Sequence, residues 1–278
     1  MTTFLATPRP AGAGQPPRPV VVAHRGSPGV APQNTLASFE TAWRAGAQVV
    51  EIDVHLSADG VPVVIHDATV DATTDGSGAV GRLPVDSLRE LDAGSWFAPE
   101  FAGQRIPTLD EVLAFLATHP GMDLLCEYKG YWTPDEVAVT VGAVEAAGLV
   151  DRFMGQSFQP PTVAALREVA PTVPRALLAE GDHPDLVQKA TALGAAGVSL
   201  AWPMISADPS LVARCHDAGL HVVAWTVNDK DTWATLVSAG VDGIITDHPD
   251  QLLMWLTGAD DDLPTEFLRW FAGTEDRH

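Results

Sequence analysis

Short β-rich runs alternate with helical patterns along most of the chain, and this alternation limits the folds open to it. The first β-rich run is VVVA at residues 20–23, and the last, DGIITDHP, begins at residue 242. If one hairpin is counted as a single unit, the pattern contains eight βα units. Alternating strands and helices form a parallel sheet with right-handed crossovers, and eight units in roughly 250 residues are typical of a closed barrel. The sequence therefore predicts an α/β fold, a (β/α)8 TIM barrel.

An open, doubly wound parallel sheet is the competing architecture, because it also alternates strands with helices. Such sheets usually contain fewer units than this chain does, so the closed barrel is the preferred interpretation. In both architectures the ligand binds at the carboxyl ends of the strands. The residues at the strand ends are therefore the ones to examine for function.

The predicted barrel has clear limits along the chain. Residues 1–18 are predicted to be a flexible leader, residues 19–257 the barrel domain and residues 258–278 a C-terminal tail. A stretch at about 68–106 is rich in Asp, Thr, Gly and Ser and lacks the periodicity of either element. We expect it to be a small insertion after the second strand unit, packed over one end of the domain.

The formal net charge of −20 excludes several classes of partner. Nucleic-acid binders need a basic surface, and an anionic membrane surface repels an acidic protein. No apolar run reaches the ~18 residues that a membrane span requires, and the first residues lack the apolar core of a signal peptide. Cys126 and Cys215 are too few for a disulfide framework. We expect a cytoplasmic protein with no nucleic-acid partner and no stable membrane insertion; a homo-oligomer is compatible with the sequence.

Titratable side chains gather at the ends of the first three strand units. The members of this set are His24, Arg25, Glu51, Asp53, His66, Glu127 and Lys129. Because parallel barrel strands all end at one face, these side chains are predicted to share one side of the barrel mouth. His55 shares a strand face with Asp53 and is predicted to line the site. The TDHP segment at residues 246–249 is predicted only to cap the last helix.

Three of these side chains predict a cation site. Glu51 and Asp53 are two residues apart, so a strand projects both from one face, and Glu127 joins them from the next barrel strand. Buried carboxylates need protons, ion pairs or a metal, and Arg25 and Lys129 balance only part of the charge. Carboxylate oxygens are hard ligands, which favours one divalent cation, Mg²⁺ or Ca²⁺. Structural ion pairs alone are the other interpretation.

The two histidines extend this chemistry to proton transfer. Imidazole accepts or donates a proton near pH 7, which suits His24 and His66 to acid and base roles. Arg25 and Lys129 can hold phosphate oxygens beside a cation. This set suits cleavage of a phosphodiester, although a metal-dependent aldolase or isomerase fits the residue types nearly as well.

Six motifs, taken together and in order, resemble the glycerophosphodiester phosphodiesterase family from about Val20 to Leu256. They are AHRG, PQNT, EIDVHLSADGVPVVIHD, EYKG, WTVN and GVDGIITDHP. The resemblance implies a (β/α)8 barrel with a small inserted region. It also implies hydrolysis of glycerophosphodiesters to an alcohol and sn-glycerol 3-phosphate, with a divalent metal.

The resemblance also assigns roles, position by position, to two catalytic histidines, three metal carboxylates and three substrate-binding residues. These are, in that order, His24 and His66; Glu51, Asp53 and Glu127; and Arg25, Lys129 and Trp225. Trp225 matches an aromatic residue that lies against the glycerol moiety.

The chain departs from the family pattern at one position. Where the family usually reads PENT, this chain has Gln33 between Pro32 and Asn34. If the family glutamate orients the arginine, Gln33 is expected to hold Arg25 more weakly. Two other functions therefore stay open: a phospholipase-D-like enzyme that acts on lysophospholipids, and a non-catalytic barrel that binds phosphodiesters.

Overall fold

The computed structural model describes residues 18–258, so the predicted leader and tail lie outside it except for Arg18 and Gly258. The strands are β1 (Val20–His24), β2 (Val49–Leu56), β3 (Pro62–Val64), β4 (Asp123–Tyr128), β5 (Phe153–Ser157), β6 (Arg175–Ala179), β7 (Gly197–Ala201), β8 (His221–Trp225) and β9 (Gly243–Thr246). The helices are α1 (Leu36–Arg44), α2 (Val85–Glu90), α3 (Leu109–Thr118), α4 (Pro134–Ala146), α5 (Pro160–Val169), α6 (Leu186–Ala192), α7 (Trp202–Ala207), α8 (Leu211–Asp217), α9 (Lys230–Ala239) and α10 (Pro249–Thr257).

The strands close into a ring. Within residues 18–258 the sheet runs β1-β9-β8-β7-β6-β5-β4-β2, and β1 also pairs with β2. All of these pairings are parallel, whereas β3 pairs with β2 antiparallel as the return strand of a hairpin. The hairpin turns at Gly60, whose φ is +79°. The predicted (β/α)8 barrel is therefore confirmed, and the open sheet is excluded.

The helices around the ring begin with the caps that the sequence indicates. Thr35, Thr108 and Thr133 each accept a hydrogen bond from a backbone N–H of the first helical turn, and the last two belong to complete capping boxes. One connection contains two helices. Between β7 and β8, α7 begins at Trp202, directly after the strand, with Pro203 in its first turn, and α8 follows it.

The interior of the barrel is layered, and this layering positions the site. An apolar layer inside the ring consists of Val22, Val49, Leu125, Met154, Ala176, Val223 and Ile245. Side chains two residues apart on a strand point to the same face. The residues two positions after Val22, Val49 and Leu125 are therefore also interior, one layer nearer to the mouth. They are His24, Glu51 and Glu127.

The predicted insertion is a packed unit rather than a loose loop. Between β3 and α3 the chain forms α2 and two short 3₁₀ turns, Val80–Arg82 and Pro99–Phe101. Its apolar side chains form a small cluster of their own, in which Leu88 is fully buried. Asp92 organises the segment by accepting hydrogen bonds from the backbone N–H groups of three residues. The segment thus has enough internal contacts to keep a fixed shape beside the barrel.

Two further predictions concern the wider chain. Cys126 and Cys215 are both buried free thiols, as expected. Among residues 18–258, none of the helices has the length and apolar character needed to cross a bilayer.

The turn after β1 depends on a glycine. Gly26 has φ +91°, and a Cβ at this position would lie 2.7 Å from the backbone carbonyl carbon of Ser38 in α1. Ser38 also accepts, through its hydroxyl, a hydrogen bond from the N–H of Ser27 at 2.7 Å. Glycine is therefore required because α1 approaches the turn so closely.

We expect Gly26→Ala to lower the free energy of unfolding by about 2–5 kcal/mol. A left-handed backbone costs alanine about 1–2 kcal/mol, and the steric overlap with Ser38 adds about 1–3 kcal/mol. Gly60→Ala is the matched control, because Gly60 is also left-handed (φ +79°) but has nothing within 4 Å of the added Cβ. Urea unfolding of both variants measures the difference, and equal losses would contradict the packing argument.

Candidate active site

Three carboxylates meet at the barrel mouth. Glu51 and Asp53 come from β2 and Glu127 from β4, where Asp53 and Glu127 are register partners. One oxygen of each residue lies within 4.8 Å of the others. All three residues are buried, with exposed fractions of 2%, 1% and 8%. The structure thus brings together the side chains that the sequence predicted as metal ligands.

Burial perturbs these acids unequally. Burial, followed by the charges of Asp53 and Glu127, raises the pKa of Glu51 well above its usual range. Burial and the charge of Asp53 likewise raise the pKa of Glu127 to about 7. Burial alone would raise the pKa of Asp53 too, but the charges of Arg25 and Lys129 hold it below its ordinary value. Without a cation, burial and mutual repulsion therefore favour the protonated forms of Glu51 and Glu127.

Two basic side chains lie against the trio, as predicted. Nε of Arg25 is 3.1 Å from Oδ2 of Asp53. Nζ of Lys129 is 2.7 Å from Oε1 of Glu127 and 3.4 Å from Oδ1 of Asp53. Each basic side chain is about one-sixth exposed, at 18% and 17%, and so can also meet a ligand. They balance two of the three carboxylate charges.

The loop between β1 and α1 orients two of the carboxylates from outside. Arg25 and Asn34 are, among the described residues, the non-glycine residues with positive φ, at 52° and 57°. The N–H of Asn34 donates to the carbonyl of Arg25 at 2.9 Å. From this loop the Arg25 N–H donates to Glu51 (3.1 Å), and the Asn34 amide donates to Asp53 (2.8 Å). Such strained conformations persist where the surroundings enforce them, often at functional sites.

Asn34 is a site residue that the sequence analysis did not identify. The cap of α1 is Thr35. The signal that could have identified Asn34 is its side chain, because asparagine tolerates the left-handed region and carries an amide donor.

Gln33 contacts Arg25 directly. Nη1 of Arg25 donates to Oε1 of Gln33 at 2.7 Å. The neutral amide therefore holds the guanidinium in the place where the family pattern has a carboxylate.

His24 is held by a residue that sequence reasoning missed. Its Nδ1 lies 2.6 Å from Oδ1 of Asp247, and the amide of Asn228 donates to the other oxygen of Asp247 at 2.6 Å. The TDHP segment does supply the N-cap residue of α10, His248, although no side chain makes a capping hydrogen bond there; its Asp247 has the additional contact with His24 that the sequence analysis did not predict. Burial alone would raise the pKa of Asp247, but the hydrogen bond with His24 lowers it below its usual value.

His66 has a carboxylate partner of its own. Its Nδ1 lies 2.7 Å from Oδ1 of Asp67, directly next to it in the chain. Burial is the main cause that lowers the pKa of His66 below its ordinary value. His55 does not reach a carboxylate of the trio; its Nε2 lies 3.0 Å from the carbonyl oxygen of His66 and so supports that residue.

Trp225 lies at the end of β8, which is the third strand around the ring from β2, after β1 and β9. Its indole N–H donates to the carbonyl of Ser199 at 3.0 Å, and its ring meets Phe158 edge to face with centroids 5.6 Å apart. It is half-buried above the apolar inner layer. Its fixed ring is thus available to an apolar part of a ligand at the mouth.

The residues present fit a divalent cation. Oδ1 of Asp53 is buried and has no hydrogen-bond partner in the protein, although such atoms are normally satisfied. The other donors nearby are carboxylate oxygens, which suit Mg²⁺ or Ca²⁺ better than softer metals. An ion held by Glu51, Asp53 and Glu127 would satisfy the orphaned oxygen and the charge that Arg25 and Lys129 leave unbalanced.

Comparison with known proteins gives a consistent result. The model of the glycerophosphoryl diester phosphodiesterase family matches residues 24–251. YhdW of Bacillus subtilis (strain 168) is 38% identical over 242 residues, 84% of this chain and 96% of the relative. The glycerophosphodiester phosphodiesterase of Caldanaerobacter subterraneus subsp. tengcongensis is 35% identical over 235 residues, 84% of this chain and 96% of the relative.

Solved structures agree with these relatives. An Oleispira antarctica phosphodiesterase, in complex with the product sn-glycerol-3-phosphate, is 32% identical with a TM-score of 0.80, over 86% of this chain and 97% of that one. The family match spans the residues that form the barrel and carry its buried carboxylates. The chain therefore belongs to the glycerophosphoryl diester phosphodiesterase family and is an enzyme, a phosphoric diester hydrolase built on a (β/α)8 barrel.

Proposed function

We propose that the protein hydrolyses glycerophosphodiesters to an alcohol and sn-glycerol 3-phosphate, with His24 and His66 as the acid and base and one divalent cation, Mg²⁺ or Ca²⁺. The observation that carries this proposal is the pairing of each histidine with its own carboxylate, Asp247 or Asp67, beside a carboxylate trio. A site that only bound phosphodiesters would need no oriented pair of imidazoles. The complex of the Oleispira antarctica relative supports the identity of the product.

The cation would be held by Glu51, Asp53 and Glu127, and when bound it neutralises phosphoryl charge and makes a hydroxyl group more acidic. Arg25 and Lys129 bind the remaining phosphate oxygens, because both are cationic side chains that stay partly exposed beside the trio.

The histidines move the protons. A carboxylate on Nδ1 favours the tautomer that leaves Nε2 free to accept a proton from, or donate one to, a reacting group. One imidazole takes the proton of the attacking hydroxyl, which belongs to water or to the glycerol 2-position. The other, as imidazolium, returns a proton to the leaving alkoxide. If the 2-hydroxyl attacks, it forms a cyclic phosphate with loss of the alcohol, and water then opens the ring to give sn-glycerol 3-phosphate. Trp225 lies against the glycerol moiety and helps to orient it.

We expect His24→Ala and His66→Ala each to lower kcat by on the order of 10²-fold or more, because each removes one proton-transfer step. Release of sn-glycerol 3-phosphate from glycerophosphocholine, with added Mg²⁺ or Ca²⁺, measures this. His183→Ala is the control, since His183 is an exposed residue outside the trio and its partners. Undiminished turnover by either variant would refute the two-histidine mechanism.

The same assay separates the competing functions. Binding of glycerophosphocholine without product would identify a non-catalytic barrel. Release of choline from a lysophospholipid, without hydrolysis of glycerophosphodiesters, would identify a phospholipase-D-like enzyme.

We expect Asp247→Asn to lower kcat by on the order of 10²-fold or more with little change in KM, since the amide can hold the wrong tautomer of His24. The acid and base limbs of the pH–rate profile should shift as well, because the carboxylate no longer stabilises the imidazolium. Asp67→Asn provides the matched measurement at His66. An unchanged pH profile in both variants would show that these carboxylates have only a structural role.

The raised pKa of Glu127, about 7, predicts a pH-dependent stability of the metal-free protein. The favourable contribution of the protonated carboxyl is complete below its ordinary pKa of 4.5 and is lost as the pH rises through about 7. Glu127→Gln keeps the neutral form, so its stability relative to wild type should rise across this window by on the order of 3 kcal/mol.

Urea unfolding from pH 4.5 to 8, after removal of metal by a chelator, measures that difference. Mg²⁺ or Ca²⁺ should reverse it by binding the ionised wild-type site, with weaker affinity below pH 7. A difference that is flat with pH, or indifferent to both cations, would contradict the cation site.

A further inference from the structure

We propose that Gln33 is a specificity-determining residue: it holds the Arg25 guanidinium at the mouth without neutralising it, and so favours doubly charged phosphate monoesters. This inference rests on the proposed function in one respect, because it takes the ligand of Arg25 to be a phosphate group. Its consequence is selective retention of the dianionic product relative to the monoanionic substrate.

Different residues position the Arg25 guanidinium and balance its charge. The side chain of Arg25 makes its shortest contact, 2.7 Å, with the amide oxygen of Gln33. In the described part of the chain, Asp53 is the carboxylate within ion-pair distance of this guanidinium, at 3.1 Å. Asp53 is also shared with Lys129, at 3.4 Å. The guanidinium of Arg25 therefore has a neutral hydrogen-bond partner, Gln33, and a charged partner, Asp53, whose charge it shares with Lys129.

The charge count shows why this matters. When ionised around a divalent cation, the three carboxylates and two basic side chains of the trio region carry one net positive charge, before the histidine–carboxylate pairs are counted. A carboxylate in place of Gln33 would remove one unit of positive charge from the loaded site and would compete with phosphate for Nη1 of Arg25. The amide thus leaves the loaded site one charge unit more positive toward the incoming anion than a carboxylate would.

The effect on ligands depends on their charge. A phosphodiester carries one negative charge, and a phosphate monoester carries nearly two above pH 7. At an effective dielectric constant of about 20, two unit charges roughly 7 Å apart change an equilibrium by up to about 50-fold before screening. We therefore expect a carboxylate at residue 33 to weaken binding by on the order of tenfold per ligand charge after screening.

Calorimetric titration tests this directly. Gln33→Glu is made in the His24→Ala background, which suppresses turnover, and is titrated at pH 8 with saturating Ca²⁺. The probes are sn-glycerol 3-phosphate, a dianion, and glycerophosphoglycerol, a monoanion. We expect about tenfold weaker binding of the diester and about a hundredfold weaker binding of the monoester, so the ratio of the two dissociation constants changes about tenfold.

Two further variants separate charge from structure. Gln159→Glu adds the same charge at an exposed residue that caps α5 after β5, the third strand around the ring from β1. Both dissociation constants should stay within about twofold. Gln33→Met removes the acceptor without adding charge and should weaken both ligands by the same factor. Gln33→Glu should also bind Ca²⁺ more tightly in the absence of phosphate.

An unchanged ratio in Gln33→Glu, or an equal change in Gln159→Glu, would overturn the proposal. Failure of the proposed function is distinguishable from this, because the titrations need no turnover. If the wild-type protein releases no product but the ratio changes as expected, the role of Gln33 stands and the hydrolytic function falls.

Discussion

Burial of three carboxylates at one end of a barrel is the constraint on which the rest of the site depends. Water has almost no access to the side chains of Glu51, Asp53 and Glu127. Buried charged groups need opposite charges, hydrogen bonds or protons to balance them. The protein compensates only in part, with Arg25 and Lys129. The negative charge that they leave unbalanced contributes to the raised pKa values of Glu51 and Glu127, and one oxygen of Asp53 has no hydrogen-bond partner. That incomplete balance is what gives the apoprotein an affinity for a cation.

The barrel makes this burial possible because its interior is filled in layers. A layer of apolar side chains fills the barrel below the site. The carboxylates therefore pack on apolar groups from below and face the barrel mouth. The loop after β1 then supplies the outer contacts, at the cost of two left-handed residues, Arg25 and Asn34. A rigid wall on one side and a strained loop on the other hold Glu51 and Asp53 in fixed orientations.

Much of this arrangement could be predicted from the sequence, and the remainder has physical reasons for being missed. The alternation of strands and helices identified the barrel, and two-residue spacing placed Glu51 and Asp53 on one face. The segment that contains Asp247 was assigned to helix capping, because sequence patterns over a few residues do not show that β9 pairs with β1. Asn34 was missed for the same reason: its partner, Asp53, is on another element. Contacts set by closure need the three-dimensional structure.

The pairing of β1 with β9 also has a consequence for the protein during its synthesis and after loss of its C-terminal part. The imidazole of His24 and the carboxylate that orients it are separated by 223 residues. During synthesis from the N-terminus, the carboxylate trio is complete after less than half of the chain, whereas the oriented histidine awaits the last strand. A nascent or C-terminally clipped chain thus holds the cation ligands without the finished proton-transfer machinery. His24 is therefore oriented for proton transfer only after β9 has paired with β1, so catalytic activity requires the whole barrel domain.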